Sequence, residues 1–179
     1  MAFSFPPTLT GARPGAAPAE LLNDLAAYVE KRTLMQFGDD RRAHFINTIG
    51  SRVQATGAAD MTAYIRRVLS PSGDTEFMTL VDALTINETT FFRNVPQMEM
   101  FARVALPEMV ERKRAADDAG KRVEVWSAAC SSGQEVYTLA MLATEALAPY
   151  PGWEVRILGT DISSSVLDTA RRGVYPKAR

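Results

Sequence analysis

Cysteine and histidine are almost absent from this sequence, which contains one of each, Cys130 and His44. A single cysteine excludes an internal disulfide, and one cysteine with one histidine disfavours a zinc site of the usual kind. We therefore predict no metal site. An excess of one charge is lacking as well: the formal net charge is −1, so the charge balance indicates no particular class of partner.

Long apolar runs are also missing, and none approaches the about 20 residues that are needed to cross a bilayer. Residues 1–7 have neither the basic start nor the apolar core of a secretion signal. A lone cysteine fits the reducing cytoplasm. We therefore predict a cytoplasmic protein without membrane insertion.

The first half of the chain is predicted to form a small bundle of four helices. Residues 1–18 are rich in Pro, Gly and Ala, which predicts a poorly ordered lead-in. Apolar residues then recur at spacings of three and four through residues 19–84. The predicted helix starts are Pro18 in a first turn, a cap at Asp39 or Asp40, a cap at Asp60, and Asp74, and the second and fourth helices end near Gly57 and Leu84.

Arginines are unevenly distributed in this helical half. Arg41 and Arg52 are eleven residues apart, about three helical turns, so on one helix they would project in nearly the same direction. Two interpretations stay open: solvated arginines that flank a core stripe, or a basic face that attracts an acidic partner. DNA is disfavoured as a partner because no DNA-recognition motif accompanies these residues. Arg42, Arg66 and Arg67 would extend the basic face.

The second half contains a strand, loop and helix pattern. An alternating apolar run over residues 123–127 is followed by small residues up to Gly133 and then by helical spacing, and a second strand, residues 155–160, ends in Asp161. Parallel sheets bind ligands at the carboxyl ends of their strands, so this carboxylate beside a small-residue loop suits a ribose diol. The loop lacks the lysine of a phosphate-binding loop, which favours a nucleoside without polyphosphate. Alternatively, Gly133 only turns the chain and Asp161 caps the next helix.

Between the two halves, polar residues alternate with bulky apolar ones over residues 85–93. Asn87, Thr89 and Arg93 offer an amide, a hydroxyl and a guanidinium fork, which complement an amino-acid-like ligand. A structural role in helix capping and a salt bridge is the alternative. Two helices, near residues 97–104 and 107–119, are predicted to lead to the first strand, the second of them ending at Gly120.

Three separated stretches together resemble the chemotaxis receptor glutamate methyltransferases, the CheR family. They are Thr-Ile-Asn-Glu-Thr-Thr-Phe-Phe-Arg (85–93), Trp-Ser-Ala-Ala-Cys-Ser-Ser-Gly-Gln-Glu-Val-Tyr-Thr (126–138), and Leu-Gly-Thr-Asp-Ile-Ser (158–163) with its continuation to Tyr175. The resemblance implies an α plus α/β fold, with a small N-terminal four-helix domain before the first part of a Rossmann-like S-adenosylmethionine-dependent methyltransferase domain. The implied divisions are the lead-in (1–18), a helical receptor-docking domain (19–84), a linker with helices bordering the donor site (85–122), and the start of the methyltransferase domain (123–179).

The resemblance further implies methyl transfer from S-adenosylmethionine to glutamates on the cytoplasmic helical bundle of chemoreceptors, giving glutamyl methyl esters in chemotaxis adaptation. It implies that acidic receptor helices contact Arg41, Arg52, Arg66 and Arg67, and that Arg93 is both a donor-binding and a catalytic residue. Gln134, Val136 and Thr138 depart from the family's usual Glu, Pro and Ser. The implied donor-binding residues are Asn87, Thr89, Arg93, Glu135 and Asp161.

Only two clear strands are predicted, fewer than a complete domain of that family has. We therefore expect an open sheet edge and an uncovered apolar face, and self-association through that edge. This leaves an alternative of another class, a non-catalytic module that docks on receptors or senses the nucleoside.

Overall fold

The computed structural model describes residues 17–116 and 120–176. Two compact units divide these residues, the first ending at Thr85 and the second beginning at Ile86. Most of the predicted lead-in, and the predicted helix end at Ala119, lie outside the described residues.

The first unit contains the four predicted helices. Asp60 caps the third helix by accepting a hydrogen bond from the Ala63 N–H at 2.7 Å, and the second helix ends at Gly57 with φ of 66°. Asp39 and Asp40 do not cap the second helix, because they lie inside a 3₁₀ turn that precedes it. The elements are α1 (Ala19–Thr33), the 3₁₀ turn (Asp39–Arg41), α2 (Arg42–Thr56), α3 (Met61–Val68) and α4 (Asp74–Leu84).

All four helices contribute to one apolar core. Pro18 precedes α1 as its N-cap and does not lie in its first turn. The core is filled by side chains that recur at helical spacing, as the periodicity predicted. Its largest fully buried members include Leu25 in α1, Phe45 in α2, Tyr64 in α3 and Phe77 in α4.

Arg52 forms an ion pair within this unit and does not belong to a basic face. Its Nε and Nη2 donate to the two carboxylate oxygens of Glu76 at 2.8 and 3.0 Å, and the Tyr64 hydroxyl donates to the same carboxylate at 2.8 Å. The side chains of Arg52 and Glu76 are 22% and 11% exposed. The premise that Arg41 and Arg52 share a helix is wrong, because α2 begins one residue after Arg41.

The second unit is a β–α–β arrangement preceded by helices. Its two strands pair in parallel, with Val123 opposite Val155 and Ser127 opposite Gly159. The two helices predicted before the first strand form instead one helical path with a π-helical turn in its middle, just before Pro107, which has no N–H to offer. The elements are α5 (Val95–Met100), the π turn (Phe101–Ala105), α6 (Leu106–Ala115), β1 (Arg122–Ala128), α7 (Gln134–Ala146), β2 (Glu154–Thr160) and α8 (Ser164–Arg172).

The sheet of this unit is covered on one face. Val123 packs with Leu106, Val110 and Ala143 in the buried cluster. On the other face the paired residues Trp126 and Leu158 are 70% and 60% exposed. The expected uncovered apolar face is therefore present in the described part of the chain. No helix among the described residues is long and apolar enough to span a bilayer.

Candidate functional site

The β1–α7 loop, residues 129–133, follows β1 at the carboxyl end of the sheet. Ala129, Ser131 and Gly133 have left-handed φ values of 61°, 49° and 95°. A residue other than glycine in this conformation costs about 1–2 kcal/mol, so other contacts must hold the loop in place. One such contact is the hydrogen bond from the Cys130 N–H to the Thr160 carbonyl at 2.9 Å, which ties the loop to the end of β2.

Ser131 connects three separate parts of the second unit. Its N–H donates to Asp161 Oδ2 at 2.8 Å, and its hydroxyl donates to the Asn87 carbonyl at 2.9 Å. Ser131 itself is 8% exposed. The tips of both strands and the segment of residues 86–93, here called the Asn87 segment, are therefore fixed to one buried residue.

Asp161 does not cap the helix that follows it. The N-cap of α8 is Ser163, whose hydroxyl accepts from the Val166 N–H at 3.4 Å. The second Asp161 oxygen, Oδ1, accepts from the Ser163 N–H at 2.9 Å. An ionised carboxylate has about four acceptor positions, and the two N–H groups use two of them. The carboxylate is thus oriented by the backbone and keeps acceptor capacity for a ligand.

Glu135 lies in the first turn of α7, where the helix dipole favours a negative charge. Its Oε1 accepts a hydrogen bond from the Ser127 hydroxyl at 2.7 Å. Ser127 belongs to β1 and is 3% exposed, so the carboxylate is held against the end of that strand. The two acidic side chains predicted to bind the donor both contact residues of the first strand or its loop.

The Asn87 segment is fixed to α7 by its backbone. The Phe92 N–H donates to Thr138 Oγ1 at 3.1 Å, and Phe92 has a left-handed φ of 54°, which is costly for a bulky residue. Thr138, where the family usually has serine, keeps the hydroxyl that makes this contact. Arg93 is exposed, and its Nη1 donates a hydrogen bond to the Glu88 carbonyl at 2.8 Å, where the alternative structural role predicted a salt bridge. Thr89 is half-buried.

Cys130 is buried beneath Gly159. A Cβ on Gly159 would lie 3.0 Å from the Cys130 sulfur, so the strand and the thiol are in close contact. Burial, and then the nearby charge of Asp161, raise the pKa of the Cys130 thiol. A protonated thiol is a poor nucleophile, so we assign Cys130 a packing role in this loop.

A cavity of about 620 Å³ lies elsewhere in the unit, between α7 and the loop and strand that follow it. Its walls include Val136, Ala140, Val155 and Ile157, and none of the five predicted donor-binding residues lines it. We place the candidate site at the strand ends, because the carboxylates of Asp161 and Glu135 are both oriented there by hydrogen bonds.

For three of the residues that build the site, no individual side-chain role was predicted. Ser127, Ser131 and Thr138 all carry hydroxyls within one of the motif stretches, and each makes a contact that fixes a predicted residue or its segment. In the sequence, these three residues could have been recognised as hydroxyl side chains within an otherwise apolar or small-residue stretch. The convergence of all five predicted side chains on one ligand stays a prediction.

Two family models match adjoining parts of the chain. The CheR methyltransferase all-alpha domain matches residues 20–85, and the CheR methyltransferase SAM binding domain matches residues 87–179. The chain is 34% identical over 132 residues to the chemotaxis protein methyltransferase of Borreliella burgdorferi, covering 73% of this chain and 46% of that protein. It is 32% identical over 154 residues to chemotaxis protein methyltransferase 1 of Vibrio cholerae, covering 85% and 54%. The chain therefore spans about half the length of the curated relatives it matches.

Proposed function

Because the chain belongs to the CheR methyltransferase family, we propose that it binds S-adenosylmethionine and carries donor-site residues of an enzyme that methylates glutamate side chains of chemoreceptors. This proposal rests on the two hydrogen bonds of Ser131. They join the β1–α7 loop to Asp161 at the tip of β2 and to the Asn87 segment. Asp161, the proposed ligand of the ribose, and the Asn87 segment, the proposed site for the amino-acid part of the donor, are thereby bound to the same residue.

Side chains of these elements and of α7 complement the polar groups of the donor. Asp161 keeps acceptor positions for the ribose hydroxyls, and Glu135 has a second oxygen for the ammonium group or a ribose hydroxyl. Arg93 carries five donors, of which one is assigned to the Glu88 carbonyl, so its guanidinium can bind the donor carboxylate. Asn87 and Thr89, which belong to the same segment as Arg93, add an amide and a hydroxyl group. In this assignment Arg93 is the catalytic residue, in the sense that it holds the donor for transfer.

Methyl transfer to a glutamate needs little acid or base chemistry. The donor, when bound, supplies a sulfonium methyl group, and a glutamate carboxylate is already ionised at neutral pH, so no general base is required. The chain's residues therefore contribute by fixing the donor and excluding water, which can account for much of a barrier in a direct displacement. The product ester is neutral, so each transfer removes one negative charge from the acceptor helix.

The proposed partner is the cytoplasmic helical bundle of a chemoreceptor, which places the chain in the cytoplasm. Exposed arginines of the first unit, Arg41, Arg66 and Arg67, are the proposed contacts for its acidic helices. Arg52 is removed from that set because its guanidinium already binds Glu76.

We also propose that the chain self-associates through the exposed sheet edge, and that the uncovered face beside this edge takes part. Trp126 and Leu158 are paired in register and largely exposed, and parallel sheets usually have both faces covered. Sedimentation of the wild-type chain and of a Trp126→Ser, Leu158→Ser double variant tests this. An equal distribution of sizes in the two samples would contradict it.

Calorimetric titration with the donor tests the proposed function. Asp161→Ala should weaken binding by about 10- to 150-fold, since a charged hydrogen-bonding group is removed. Asp168→Ala is the matched control, because that carboxylate is on α8 with a side chain 63% exposed and paired with Arg171. Absence of donor binding by the wild-type chain would overturn the proposal. Binding without transfer to receptor membranes would favour the nucleoside-sensing alternative.

A further inference from the structure

The segment that follows α8 returns to the β1–α7 loop. The Tyr175 hydroxyl donates a hydrogen bond to the Ser132 carbonyl at 2.7 Å. Ser132 directly follows Ser131, whose N–H and hydroxyl are bound by Asp161 and by the Asn87 carbonyl. Two consecutive loop residues are thus held by three different parts of the second unit.

The Tyr175 ring is itself held between two other aromatic rings. Phe91 of the Asn87 segment contacts it edge-on, with centroids 5.0 Å apart, and Tyr137 of α7 contacts it at 5.8 Å. Such edge-to-face pairs are worth about 0.5–1.5 kcal/mol beyond their burial. The ring therefore keeps the hydroxyl directed at the loop. Burial, and then the neighbouring Tyr137, raise the pKa of Tyr175, so the phenol remains a proton donor at neutral pH.

The loop leaves no room for a side chain where Tyr175 meets it. A Cβ on Gly133 would lie 2.9 Å from the Tyr175 hydroxyl and 2.8 Å from the Ala170 Cβ. Gly133 also has a left-handed φ of 95°. The absence of a side chain at position 133 is what lets the tyrosine hydroxyl reach the carbonyl of the preceding residue.

We propose that Tyr175 is a positioning residue that locks the β1–α7 loop in the conformation in which Ser131 orients Asp161 for the donor. The expected effect on donor binding rests on the proposed function, whereas the effect of Tyr175 on the conformation of the loop does not. Without the hydroxyl, the loop would lose one of the contacts that hold its left-handed residues and would open more often, and in the open state Asp161 lacks the fixed Ser131 N–H partner. Donor binding would then include the free energy of ordering the loop.

Cys130 provides a reporter for this lock. It is the single cysteine of the chain, it lies one residue before Ser131, and it is 3% exposed. A thiol reagent such as an aromatic disulfide can reach it only when the loop opens. The rate of labelling in excess reagent therefore measures loop opening without requiring the donor.

The test compares Tyr175→Phe with Tyr137→Phe in the full chain. Both remove a phenol hydroxyl from the same aromatic cluster, but the Tyr137 hydroxyl donates to the Ala170 carbonyl of α8 at 2.9 Å and not to the loop. Tyr175→Phe should be labelled about 3- to 10-fold faster than wild type, the range expected for the loss of one net hydrogen bond. Tyr137→Phe should be labelled at the wild-type rate. Labelling is measured well below the thermal midpoint of each variant, so that global unfolding does not contribute.

Donor affinity supplies the second readout. Tyr175→Phe should bind S-adenosylmethionine more weakly by a factor similar to its gain in labelling rate, whereas Tyr137→Phe should bind normally. Labelling of Tyr175→Phe at the wild-type rate would overturn the inference, and so would faster labelling with unchanged donor affinity. A wild-type chain that binds no donor would contradict the proposed function instead, and the labelling rates would still decide whether Tyr175 locks the loop.

Discussion

The two units of the molecule achieve a defined structure in different ways. In the first, side chains from all four helices fill one buried core, and the half-buried carboxylate of Glu76 binds both Arg52 and the hydroxyl of the core residue Tyr64. In the second, the apolar cluster is small, one face of the sheet exposes Trp126 and Leu158, and the loop at the strand ends is fixed mainly by single hydrogen bonds. Among the described residues the larger apolar core is in the helical unit, while the binding geometry depends on polar contacts that are each worth about 1 kcal/mol.

The largest predicted effect follows the loss of the Glu76 carboxylate in the helical unit. Glu76→Ala should lower the free energy of unfolding by about 2–4 kcal/mol, because Arg52 and the Tyr64 hydroxyl would both lose their partner in a mostly buried setting. Urea unfolding followed by far-ultraviolet circular dichroism measures this. Arg41→Ala, which changes an exposed arginine of the same unit, should leave the midpoint unchanged. Similar midpoints for Glu76→Ala and wild type would show that the network is not structural.

A second prediction separates backbone conformation from steric contact in the sheet unit. Gly133→Ala should destabilise the chain by about 2 kcal/mol and weaken donor binding, because its left-handed φ is combined with a close contact to Ala170. Gly152→Ala is the matched control, with φ of 79° and its nearest contact, to Lys121, at an ordinary 3.9 Å. It should cost about 1 kcal/mol and leave donor affinity intact. Thermal unfolding and donor titration of both variants check the pair, and equal losses of affinity would argue against a specific role for the loop.

A third prediction concerns charge at the site. Asp161→Asn keeps one oxygen that can accept an N–H but loses the negative charge and half of the acceptor positions. Donor affinity should fall by about tenfold, or 1.4 kcal/mol, with a smaller change in stability. Titration calorimetry together with thermal unfolding distinguishes the two. A loss of stability that matches the loss of affinity would mean that Asp161 serves the loop and not the ligand.

The sequence predicted much of the helical unit because its local signals agreed. Asp74 to Leu84 has an acidic first turn and an uninterrupted apolar period, and the observed helix has those bounds. Asp39 and Asp40 looked equally suited to a cap, but the chain enters α2 through a 3₁₀ turn that contains both. Local pattern shows that a helix starts, and it does not show which geometry the first turn adopts.

Contacts between distant residues could not be predicted in the same way. Arg52 and Glu76 are on different helices, and only the packing of α2 against α4 brings them together. The same holds for the site: the motifs indicated Asn87 and Asp161, but not that Ser131 would bond to both. Tyr175 closes one of the motif stretches and received no role, because nothing in the sequence shows that a residue after α8 returns to the loop.

The smallest predicted effect is a pH dependence confined to the helical unit. Burial opposes ionisation of Glu76, but the hydrogen bonds from Arg52 and Tyr64 outweigh it, so the pKa of Glu76 lies below its ordinary value of 4.5. A lowered pKa means that the unfolded chain binds the proton more tightly, so the stabilisation is complete above pH 4.5 and is lost as the pH falls through the lowered value. The wild-type chain should therefore lose stability more steeply below pH 4.5 than Glu76→Gln does. Urea midpoints measured across the acid range for both chains test this, and parallel curves for wild type and Glu76→Gln would mean that the ion pair contributes no proton linkage.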